Sequence, residues 1–98
     1  MEFRIAVEAE EDIELARLFY EAEARGLGER FHADVLATLD HIGLWPKGFQ
    51  LRWLHYRFAP LAVFPFHIIY SLEGDFIVVH RIHHMHQRPL RRYFGAQG

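Results

Sequence analysis

The feature that most constrains this chain is a pair of apolar segments either side of a turn. Phe64-Pro65-Phe66-His67-Ile68-Ile69-Tyr70 is followed, after Glu73-Gly74-Asp75, by Phe76-Ile77-Val78-Val79-His80-Arg81-Ile82-His83-His84. Aromatic and β-branched residues dominate both, and Gly with Asp marks the reversal, so they read as one β-hairpin. Strict alternation puts Phe66, Ile68, Tyr70 and Leu72 on one face of the first strand and His67, Ile69 and Ser71 on the other. In the second strand Phe76, Val78, His80, Ile82 and His84 share a face opposite Ile77, Val79, Arg81 and His83. Both faces of that strand are mostly apolar at its start, as expected of a central strand.

Upstream, Phe3-Arg4-Ile5-Ala6-Val7 alternates with period two and reads as a short opening strand. Glu10-Glu11-Asp12 gathers negative charge where a helix N-terminus favours it. Leu15, Leu18, Phe19 and Ala22 then fall at helical spacing, which predicts an amphipathic helix over roughly residues 9–25. Arg25-Gly26-Leu27-Gly28 interrupts it. Phe31, Val35, Leu39 and Ile42 mark a second helix, which must end by Trp45 because Pro46 follows. Leu15, Leu18, Phe19, Phe31, Val35 and Leu39 are expected to form the core between helices and sheet. Leu51 to Phe58 is rich in aromatics and reads as one further strand. Pro60 and Pro65 bracket the connection to the hairpin. The order is β-α-α-β-β-β, an α+β fold in which an antiparallel sheet carries a helical hairpin on one face.

Ninety-eight residues make one domain, with a polar, basic tail from about residue 85. No apolar run approaches the roughly 18 residues of a membrane span, no secretory signal is visible, and there is no cysteine. The expectation is a cytoplasmic protein with no membrane partner and no thiolate metal site. Charge is divided: residues 1–40 hold eleven Asp/Glu against four Arg, while residues 41–98 hold Lys47 and six Arg against Glu73 and Asp75. An acidic half joined to an arginine-rich half suits an anionic partner on the basic side.

The order of elements and Tyr56-Arg57-Phe58 leading through Phe64-Pro65-Phe66-His67-Ile68-Ile69-Tyr70 resemble the RelE/ParE toxins of bacterial type II toxin–antitoxin modules, the plasmid-stabilisation toxin superfamily. The Gly74-Asp75 turn, the Ile/Val strand and the ending His84-x-x-x-Arg88-Pro89 match too. The resemblance covers nearly the whole chain. It implies a growth inhibitor neutralised by a cognate antitoxin. It further implies one of two targets: DNA gyrase, poisoned without chemistry by ParE-like members, or messenger RNA in the ribosome, cut by RelE-like members.

An RNA-cutting relative carries arginine where this chain has His67 and, by closest alignment, Gln87. The ParE-like reading is therefore preferred, with the mRNA interferase as alternative and an inactive toxin-fold partner as a second. If the chain is an enzyme, it is a metal-independent endoribonuclease. His67, His84 and His86 are then the acid–base candidates, Arg57, Arg81 and Arg88 the phosphate-holding cations, and Tyr93 the match to the family's C-terminal tyrosine. The non-catalytic alternative has His67 facing solvent, Arg57 and Arg81 paired with carboxylates, and Tyr70 in the core. Arg88, Arg91, Arg92 and Tyr93 are the candidate target contacts. His80 and His84 sit about 13 Å apart on one strand face by this pattern, too far for one ion. His84 with His86 lacks a third ligand, so no metal and no cofactor is expected. Leu44, Trp45 and Trp53 are candidate partner surface, and an acidic antitoxin segment would suit the basic half.

Overall fold

A computed structural model of the chain describes residues 1–86. The elements are β1 (Glu2–Ile5), α1 (Val7–Glu23), α2 (Leu27–Leu44), β2 (Gln50–Trp53), β3 (Tyr56–Pro60), β4 (Phe66–Glu73) and β5 (Phe76–His84). They form one five-stranded sheet in the order β1-β5-β4-β3-β2, with both helices on one face. The α+β class and the helical hairpin are as the sequence predicts. The expected strand Leu51–Phe58 is instead a small hairpin: Leu54 takes a left-handed backbone (φ 52) and the chain doubles back, stacking Trp53 on Tyr56. The sheet is also not wholly antiparallel, because β1 pairs parallel with β5.

Helix α1 follows β1 with hardly any connection. Its rotation is set by Asp12, whose carboxylate accepts Arg81 Nε (2.8 Å), Arg81 Nη2 (2.9 Å) and the backbone N–H of Ile82 (3.0 Å). Ala9 and Ala16 are therefore buried, and Ile13 and Tyr20 pack partly against the core. The predicted stripe points the other way: Leu15, Leu18 and Phe19 are 69%, 51% and 60% exposed. The expectation that these three form core is wrong for α1. It holds for α2, where Phe31, Val35 and Ile42 are buried and Leu39 packs partly against them.

Two glycines make the helix–helix corner. Gly26 adopts φ 83, and a Cβ on Gly28 would lie 2.5 Å from the Arg17 carbonyl oxygen, so the helices approach there only without a side chain. Glu21 accepts the backbone N–H groups of both glycines and so satisfies donors at the start of α2. A third carboxylate, Asp34 on α2, accepts the N–H groups of Ala62, Val63 and Phe64 and holds the β3–β4 connection to the helix.

The alternation expected for the last strand breaks at His80. Val79 pairs with Tyr70 and Arg81 with Ile69, leaving His80 as an extra residue in β5. Paired residues share a face, so Ile82 and His84 join Ile77 and Val79 on the helix side, where Ile68 and Tyr70 are fully buried. His80 and His84 consequently lie on opposite faces, which corrects the shared face read from the sequence.

Asp12→Ala should destabilise the fold by about 3 kcal/mol, because it strands a guanidinium whose side chain is 17% exposed. Asp12→Leu with Arg81→Met should recover much of that loss; urea unfolding of all three proteins checks both. Leu15→Ala should change stability by under about 0.5 kcal/mol, whereas Ile68→Ala should cost about 3 kcal/mol. Equal losses would contradict the assigned rotation of α1.

Candidate functional site

The sheet face away from the helices carries the polar chemistry. The register places Phe58, His67, His83 and Val78 there, and Arg4 lies over the Phe76 ring at 3.8 Å. Arg52 reaches the same face from β2: its guanidinium carbon is 4.9 Å from the Phe58 ring centroid, and Nη1 is 3.3 Å from His67 Nε2. A guanidinium only donates, so His67 Nε2 accepts, which assigns the proton of a neutral ring to Nδ1. Burial lowers the His67 pKa, and the Arg52 charge lowers it further. His83, directly across the β4–β5 ladder from His67, is lowered first by burial and then by the nearby His67 and Arg81.

At the other end of this face Ser71, fully buried, lies 2.7 Å from both Glu73 Oε2 and His80 Nε2. The hydroxyl donates to the carboxylate and accepts from the imidazole, so this assigns the Nε2 proton to His80. The Tyr56 ring packs edge-on against His80 at 5.0 Å. Burial pulls the His80 pKa down, partly opposed by Glu73. Ser71 is closed off from solvent and hydrogen-bonded, so this trio locks the hairpin and offers no nucleophile.

The predicted catalytic residues do not converge. Arg57 lies on the helix side with Tyr70 and donates to the carbonyls of Lys47 (3.2 Å) and Phe49 (2.7 Å). Tyr70 is buried, and its hydroxyl donates to the Pro46 carbonyl at 2.6 Å. Arg81 is held by Asp12. His84 lies on the helix side, its ring 4.9 Å from that of Phe66, and its Nδ1 accepts the His86 N–H. Of the described candidates, His67 and Arg81 share the open face by register, but Arg81 is turned to Asp12 at the sheet edge and only His67 stands beside Arg52. Gln87, Arg88, Arg91, Arg92 and Tyr93 lie outside the described residues. Among the described residues no group of three or more His, Asp or Glu could hold a metal ion.

Sequence reasoning missed Arg52 and the pairing of His83 with His67 across the β4–β5 ladder. Arg52 meets His67 only because β2 folds back on β3, where the aromatic-rich pattern predicts a single strand. Of the proposed partner surface, Leu44 and Trp45 are well exposed and, with Leu72, Lys47 and Asp75, line an open groove of about 760 Å³. Trp53 is only partly exposed.

No protein-family model and no curated protein matches this chain. Among solved structures it is similar to a chain of a chromosomal ParDE toxin–antitoxin system from P. aeruginosa. The TM-score is 0.71 at 17% identity, over 86% of this chain and 95% of that one. The fold is RelE/ParE-like. In such a fold the helical hairpin and the open sheet face are separate surfaces, and in this chain the first is acidic and the second carries Arg4, Arg52 and the histidines.

The three lowered histidines fix the sign of a pH effect. Each takes up a proton less readily in the folded chain than in the unfolded one, where histidine titrates near 6.5. The unfolded chain therefore binds more protons below that value, and stability falls as pH drops through about 6.5 toward the folded pKa values. Urea midpoints should be lower at pH 5.5 than at pH 7.5. His80→Gln should flatten that dependence; an unchanged slope would show that His80 does not contribute.

Proposed function

We propose that this chain is the toxin of a toxin–antitoxin pair and acts by binding its target, as a ParE-like inhibitor of DNA gyrase does, with a cognate antitoxin that neutralises it. The observation that carries the reading is the fold likeness to the ParDE-system chain over nearly the full length of both. The dispersal of Arg57, Arg81, His67 and His84 over two faces supports binding over chemistry, because cleavage needs base, cation and acid around one phosphate. Two of the four are already engaged within the fold, Arg57 with backbone carbonyls and Arg81 with Asp12. The target-contact role stays with Arg88, Arg91, Arg92 and Tyr93. A gyrase or ribosome target places the action in the cytoplasm.

One observation favours the ribonuclease reading. Arg52 and His67 set a cation beside a neutral imidazole on an open face, and a phosphate that draws Arg52 off Nε2 would free that nitrogen to take a proton from a 2′-hydroxyl.

Induced expression in a bacterial host separates the readings. Gyrase inhibition predicts growth arrest with filamentation and the DNA-damage response, intact messages, and arrest that persists in Arg52→Ala and His67→Ala. Ala at Arg88, Arg91 and Arg92 should relieve it at equal expression. Rapid loss of translation with cut messages, abolished by His67→Ala, would overturn the binding reading in favour of the nuclease. Normal growth would leave a toxin-fold partner without toxicity.

A further inference from the structure

Among the described residues the ridge of α1 stays exposed, with Phe19 touching only the Tyr20 ring edge at 5.3 Å, and neither target reading uses it. Leu15, Leu18 and Phe19 lie within about 100° of one another around the helix, with their middle about 120° round from buried Ala9 and Ala16. Glu8 and Glu11 project into the same arc, and Glu14 flanks it with Arg17 at 2.7 Å; all three glutamates are exposed. An apolar ridge of one leucine turn and a phenylalanine is what a second helix packs against.

We propose that this ridge is the docking surface for an amphipathic helix of a partner protein, one with apolar anchors at helical spacing and Lys or Arg along their flanks. The inference rests on the reading that the chain works with a protein partner, and it specifies that partner's charge. The acidic border decides among occupants. An anionic membrane surface would be repelled by Glu8 and Glu11. A second copy would set two acidic borders against each other as the same ridge met itself. A basic helix buries the ridge and pairs the border together. The acidic segment expected from the family resemblance suits the arginine-rich half of the chain but not this face.

Two synthetic eighteen-residue helical peptides test this, sharing Leu and Phe anchors at positions i, i+3, i+4 and i+7 and differing only in Lys/Arg or Glu flanks. Fluorescence anisotropy with the purified full chain should show the basic peptide binding about tenfold or more tighter, with affinity falling as salt rises. Leu18→Asp with Phe19→Asp, both at exposed positions, should abolish binding while leaving the circular dichroism spectrum unchanged. Glu8→Lys with Glu11→Lys should reverse the preference toward the acidic peptide. Equal binding of the two peptides, or basic-peptide binding that survives Leu18→Asp and Phe19→Asp, overturns the proposal. So does a dimer by light scattering that those substitutions dissolve, or adhesion to phosphatidylglycerol vesicles. Growth arrest is scored separately. Arrest without peptide preference sinks the docking inference alone, and peptide preference without arrest supports it while the toxin reading fails.

Discussion

The Asp12 carboxylate is the contact on which the arrangement of helices and sheet depends. Among the described residues β1 covers β5 only from Phe76 to Val79, which leaves the later part of β5 with no strand on that edge. Asp12 closes that edge by taking the Ile82 N–H and gripping Arg81 through two nitrogens. An ion pair this shielded costs desolvation, and its net worth is modest. Its effect is geometric: a charged, forked contact permits one orientation, so α1 cannot roll to bury Leu15 and Leu18 in place of Ala9 and Ala16. Small residues at the contact in turn bring the helix close to the sheet.

Two further carboxylates work the same way. Glu21 receives the N–H groups at the helix corner, and Asp34 receives three from the β3–β4 connection. Three of the eleven acidic residues in the first forty positions thus serve as acceptors for backbone donors that no helix or strand satisfies. The remaining glutamates stay outside and give the outer side of α1 its sign. One face of the molecule is consequently apolar with a negative border, and the sheet face away from it presents arginine and neutral imidazole.

The strands and helices were legible because their periods are strong. Phe66 to Leu72 alternates cleanly, Phe31 to Ile42 recurs every turn, and Gly26 and Pro46 punctuate the helices. The open-face site was less legible. His67 stood out as a departure from a family pattern, but Arg52 is fifteen positions away and meets it only through a turn at Leu54 that carries no glycine signal. Arg57 and Arg81 were plausible as phosphate ligands by type alone; their partners, two carbonyls and a carboxylate across the fold, are invisible in a linear reading.

Periodicity by itself determined the fold class and every element except the β2–β3 hairpin, which it merged into one strand, because each element's pattern is local. It could not determine which of two apolar stripes on α1 turns inward, since Ala9, Ile13, Ala16 and Tyr20 and the set Leu15, Leu18 and Phe19 both recur at helical spacing. Nor could it place the extra residue at His80, which moves Ile82 and His84 to the other face of β5. Both choices belong to the tertiary structure. They are made by contacts between residues about seventy positions apart, where Asp12 meets β5, and the larger side chains left outside are the ones available to a partner.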